Sequence, residues 1–84
     1  MDAHTSLVDR QMLFVGLVKE GLQIPKASTR AQVVLMLLSP KEMTVNEHLK
    51  GVNAAARLIR PGKKVEKLKE VTSPDEVYKV IINQ

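Results

Sequence analysis

The chain has 84 residues, 44% of them apolar and 26% charged, a balance that belongs to a globular domain and excludes a disordered one. It contains no cysteine, and its two histidines, His4 and His48, are too far apart for a metal motif, so no disulfide scaffold, metal or cofactor is expected. The net charge of +4 permits an anionic partner, but with only one tyrosine, one phenylalanine and no tryptophan there is little to stack on bases, and no nucleic-acid partner is expected.

Residues 1 to 10, MDAHTSLVDR, are polar and show no period; they read as a loop or the beginning of a strand. Met12 to Val18 is a nearly unbroken apolar run bounded by Lys19-Glu20-Gly21, the pattern of a strand covered on both faces. Gly16 inside it predicts close approach of another backbone. A short edge segment follows around Leu22 to Ile24, then a loop through Pro25 and the small polar residues after it. Gln32 to Ser39 is the second strong strand, β-branched at Val33 and Val34 and closed by Pro40. The longest apolar run, Val33 to Leu38, is far short of the ~20 residues that cross a bilayer, and the N-terminus lacks the basic-then-apolar order of a secretory signal. A cytoplasmic chain without direct membrane insertion is expected.

From Thr44 the period changes. Val45, Leu49, Val52, Ala56 and Ile59 recur at three and four residues and predict a helix from Thr44 to Ile59 with that stripe facing inward, capped by Thr44 or Asn46 and ended by Pro61-Gly62. A second helix is predicted from Lys63 to Val71, with Val65 and Leu68 as its apolar points. The PGKK at its start is no phosphate loop, because position 57 is arginine and position 64 is lysine where that motif needs glycine and a hydroxyl. The basic stretch RPGKKVEKLK, interrupted by Glu66 and Glu70, reads as a solvated helix face. A third helix opens with Ser73 as cap, Pro74 at the first position and Glu76 at capping-box spacing, and turns Val77, Val80 and Ile81 inward. Two strands covered on both faces and only three short helices leave apolar surface uncovered, so a homo-oligomer is expected.

His48 lies beside the predicted stripe. Periodicity alone makes it a partly buried imidazole with one ring nitrogen bonded to a carbonyl, and makes His4 a solvated residue near a terminus.

A resemblance changes that reading. LFVGLVKEGL, VVLMLLSP, NEHLKGVNAAARLI and VEKLKEVTSPDEVYKVI, in that order, resemble successive blocks of the later half of the enzyme IIA domains of the mannitol and fructose class of the bacterial sugar phosphotransferase system. It runs over nearly the whole chain; its most specific parts are Leu-Leu-Ser-Pro, Glu-His-Leu and the Ser-Pro-Asp-Glu start of the last helix. The resemblance implies an α/β fold, a small mixed sheet with helices packed on it, with residues 1–84 as a single, partial domain. It also implies phosphoryl transfer from a histidine phosphocarrier protein onto an acceptor histidine, supported by a second histidine near a helix start. By position His4 falls at the acceptor and His48 at the second histidine, and these are the candidate catalytic residues. Thr5 and Ser6 hydroxyls are possible extra donors.

The acceptor segment, Asp2-Ala3-His4-Thr5, lacks the proline before and the alanine after the histidine that the resemblance calls for. IPKA, Ile24 to Ala27, mimics that motif with Lys26 in place of histidine but has the wrong spacing to Glu-His-Leu. Three readings follow. The first is a regulatory or sensory domain forming the soluble tail of a membrane transporter such as a cation antiporter. The second is a working carrier, a phosphohistidine phosphotransferase using His4; the third, which the +4 charge permits but nothing local supports, is an interaction or nucleic-acid module that kept only the fold.

Overall fold

The computed structural model describes residues 1–83. The fold is α/β: β1 (Asp2–Thr5), β2 (Met12–Gln23) and β3 (Arg30–Pro40) are followed by α1 (Val45–Leu58), α2 (Lys63–Glu70) and α3 (Pro74–Ile82). The strands form one mixed sheet in the order β1-β3-β2, and helices pack on it. Contacts group the chain into two compact units, residues 1–15 with 35–57, and residues 16–34 with 58–83. Among the described residues no helix is long and apolar enough to cross a membrane.

In the first unit the polar opening segment is a strand. β1 lies parallel to β3, with Asp2 opposite Leu37 and His4 opposite Ser39, and the Met1 amino nitrogen donates to the Leu35 carbonyl at 3.0 Å. Side chains alternate along β3: Leu35, Leu37 and Ser39 are buried on one face, while Met36 on the other is 38% exposed. Phe14 on β2 is 43% exposed. The expectation that both strands are covered on two faces is therefore corrected; the Leu35–Ser39 face receives α1 and the Met36 face remains open.

Helix α1 begins where the cap predicts, with Thr44 Oγ1 accepting from Glu47 N–H at 3.2 Å. Its inward stripe differs from the predicted one. Val45, Leu49, Ala56 and Ile59 are exposed, and the buried residues are His48 and Ala55, with Gly51 and Val52 half-buried between them. The helix is turned by about one residue, because small Gly51 and Ala55 allow a close approach and a fully hydrogen-bonded imidazole is tolerated inside.

In the second unit β2 does not stop at Val18. It continues to Gln23 through Gly21, which has φ 81° and is buried. A Cβ there would overlap the Arg30 side chain, whose Nε donates to the Gly21 carbonyl at 3.1 Å, so a left-handed glycine keeps the strand paired where the sequence suggested a break. Gly16 plays no such part, since a Cβ on it would make only ordinary contact with Val34. The IPKA segment is a tight turn: Ala27 N–H donates to the Ile24 carbonyl at 3.1 Å and Lys26 has φ 68°, the geometry of a type II turn with proline at its second position.

Helices α2 and α3 follow the predicted boundaries closely. Val65, Leu68 and Val71 are buried, while Val77, Val80 and Ile81 are half-buried. Ser73 Oγ accepts from Glu76 N–H at 3.3 Å, the expected cap. The Glu76 carboxylate does not complete the box at the Ser73 amide; it accepts from the Thr72 and Ser73 hydroxyls. Leu68, with 0% exposure, is the best-buried side chain of this unit. Leu68→Ala should lower the unfolding free energy by about 2–5 kcal/mol, whereas Ile82→Ala, at a 57% exposed position, should change it by less than about 0.5 kcal/mol. Urea titration followed by circular dichroism measures both, and equal effects would contradict this assignment of the core.

Candidate functional site

The site is assembled by β1, β3 and α1 within the first unit. Because β1 is a strand, Asp2 and His4 project to the same face, and because it is parallel to β3 with His4 opposite Ser39, that face is the one bearing Leu37 and Ser39. Helix α1 presents His48 to it.

His48 is 5% exposed and both of its ring nitrogens are engaged. Nδ1 lies 2.6 Å from Ser39 Oγ, and Nε2 lies 2.8 Å from Asp2 Oδ1. The Gln11 side-chain amide in turn donates to Ser39 Oγ at 3.0 Å. These contacts give a consistent direction of donation. A carboxylate can only accept, so Nε2 carries a proton toward Asp2. Ser39 Oγ accepts from Gln11 and spends its own proton on Nδ1. The neutral Nε2–H tautomer of His48 thus satisfies every group in the chain, an assignment made from the network. The expected bond from His48 to a carbonyl is replaced by two side-chain partners.

Gly51, one turn beyond His48, completes the arrangement. A Cβ there would collide with the Gln11 amide, so the absence of a side chain leaves room for Gln11 to reach Ser39. Met43 Sδ lies 3.7 Å from the same amide nitrogen.

His4 is exposed, with its ring centroid 4.3 Å from that of His48 and the planes tilted by 40°. The two histidines singled out in the sequence are therefore brought together, and His4 rests on His48 instead of being simply solvated. His4 lies within the strand β1, whereas the resemblance implies a loop before a strand at this point. Thr5 Oγ1 accepts from Leu7 N–H at 3.2 Å, which shapes the turn leaving β1. Among the described residues no group of three or more histidine, aspartate or glutamate side chains could hold a metal ion.

Sequence reasoning did not find Asp2, Gln11, Ser39 or Gly51. Asp2 had a signal, since residues two apart on a strand share a face, but four polar residues do not declare a strand. Ser39 was visible only as part of Leu-Leu-Ser-Pro, and nothing in its spacing announces a bond to His48. Chemically, His48 has no free ring nitrogen and serves as a fixed support, whereas His4 is the accessible imidazole, a nucleophile when neutral.

No family model, curated protein or solved structure matches this chain.

Ser39→Ala should destabilise the first unit by about 1–3 kcal/mol, because it leaves a buried ring nitrogen without its donor. Nitrogen-15 NMR should show the His48 ring leaving the single Nε2–H tautomer in that variant. Gly51→Ala should displace Gln11 and produce part of the same spectral change. An unchanged His48 spectrum in both variants would contradict the hydrogen-bond chain.

Proposed function

We propose that this chain is an enzyme IIA-like domain with a regulatory or sensory role beside a membrane transporter, such as a cation antiporter, and not a phosphoryl carrier of high flux. The transporter setting rests on the resemblance of the sequence blocks. The observation that favours regulation over carriage is the 2.8 Å contact from His48 Nε2 to Asp2 Oδ1. In phosphoryl transfer a fixed imidazole N–H is useful when it meets the oxygens of the phosphoryl group, because catalysis there is largely positioning and charge stabilisation. Here that N–H is spent on a carboxylate of the same chain, and Asp2 lies two residues from His4 on one face of β1. A phosphoryl group on His4 would meet negative charge where it needs donors.

The test is intact-mass measurement after incubation with phosphoenolpyruvate, the general phosphotransferase enzyme and the histidine phosphocarrier protein. Wild type should gain no phosphoryl group. Asp2→Ala, which releases the Nε2–H, should gain one, and His4→Ala in that background should lose it. Efficient, His4-dependent labelling of the wild type would defeat the regulatory reading.

That outcome would support the carrier reading, which is favoured by one observation of its own, the 4.3 Å approach of the His4 and His48 rings. In a carrier His4→Ala abolishes transfer, while His48→Ala slows it by about 10²–10³, the usual cost of removing one oxyanion donor.

Self-association belongs to the same proposal. The uncovered sheet face carrying Phe14 and Met36 is apolar surface of the kind that interfaces cover. Sedimentation velocity should report a species larger than the 9.4 kDa monomer, and Phe14→Lys should return it to monomer; a wild-type monomer at every accessible concentration would count against it.

A further inference from the structure

Helices α2 and α3 enclose a cleft of about 310 Å³ lined by Lys63, Lys64, Lys67, Lys79, Val80 and Asn83. Four of the six described lining residues are lysines, and none of the six is acidic. Of the nearby carboxylates, Glu66 accepts from Lys69 at 3.3 Å and Glu76 accepts from the Thr72 and Ser73 hydroxyls. Glu66 and Glu70 flank Lys63 and Lys67 along the neighbouring side of α2, outside the cleft. Among the described residues none of the four cleft lysines forms an ion pair. Lys64 Nζ instead donates to the Ile81 carbonyl at 3.4 Å, which ties it across to α3.

Lys64 is half-buried and the other three lysines are exposed, and the four come from two helices rather than from one face of α2. Four lysines lining one cleft, with no carboxylate among the described lining residues, add their positive potentials there. Lys63 and Lys64 also occupy the first turn of α2, where positive charge opposes the helix dipole. Their position costs the isolated helix stability that a bound anion would restore.

We propose that the α2–α3 cleft binds an anion carrying two or more linked phosphates, held by Lys63, Lys64, Lys67 and Lys79. Lysine suits phosphate oxygens as a mobile point charge. The volume, at the low end of the roughly 300–1,000 Å³ of small-molecule pockets, suits a short phosphate chain better than a large organic ligand. The linked phosphates can belong to a free metabolite or to a lipid headgroup. This proposal does not depend on the chemistry of His4.

The test uses the full chain at low ionic strength, with calorimetric titration of inorganic tripolyphosphate and flotation with phosphatidylcholine vesicles containing cardiolipin, whose headgroup carries two phosphates. Tripolyphosphate should bind at one site, and added salt should weaken it. The double variant Lys67→Gln/Lys79→Gln should lose affinity by roughly tenfold or more, while Lys19→Gln/Lys41→Gln, with the same change in net charge, should change it by less than about twofold. Circular dichroism should show the cleft variant folded, with a melting temperature no lower than wild type in the absence of anion. Cleft-dependent vesicle binding without uptake of free tripolyphosphate would assign the lipid as the source; uptake of tripolyphosphate assigns a free ligand. Binding to neither probe, or equal losses in the two double variants, would overturn the site.

Discussion

An imidazole buried to 5% exposure is stable only if both ring nitrogens find partners, and that requirement organises the whole first unit. Ser39 must occupy an inward position of β3, and Gln11 must reach it across Gly51. Asp2 must lie on the inward face of β1. A slip of β1 by one residue would turn Asp2 and His4 to the open face and bring Ala3 in their place, leaving His48 Nε2 unpaired. A four-residue strand has little apolar surface with which to fix its own register. Its polar contact with His48 supplies what hydrophobic patterning does not.

The same requirement explains the orientation of α1. Counting apolar residues places Val45, Leu49 and Ile59 inside, yet all three are exposed. The helix turns toward the face with the smallest side chains, Gly51 and Ala55, and toward a polar ring whose partners are all remote in sequence. Local periodicity registers apolarity only. It has no means of crediting a histidine with a serine nine residues away and an aspartate forty-six residues away.

What the sequence disclosed and what it concealed divide along that line. Thr44 and Ser73 mark helix starts through bonds three residues long, and Val65 and Leu68 are inward because a short amphipathic helix has only one apolar side. Those features are local and were readable. The continuation of β2 past Val18 depends on the Arg30 side chain filling the space beside Gly21, a contact set by strand pairing. The two histidines were singled out individually, but their meeting rests on the parallel register of β1 and β3, which no run of residues spells out.

The parallel pairing of β1 with β3 also has a kinetic consequence. Asp2 lies opposite Leu37, and the chain between them holds the whole of β2 and its turn, so their pairing closes a long loop. Contacts so distant along the chain carry a large loop-closure entropy, so docking of β1 is expected to follow formation of the more local β2–β3 turn and the helices. By the same reasoning β1 should be among the first elements to open under native conditions, held at one edge by four residues, so that its amides exchange with solvent sooner than those of β3. Each opening would separate His4 from His48 and uncover the buried imidazole. The paired histidines therefore exist only for the fraction of time that β1 is docked, and a partner that grips β1 could set that fraction without touching either ring.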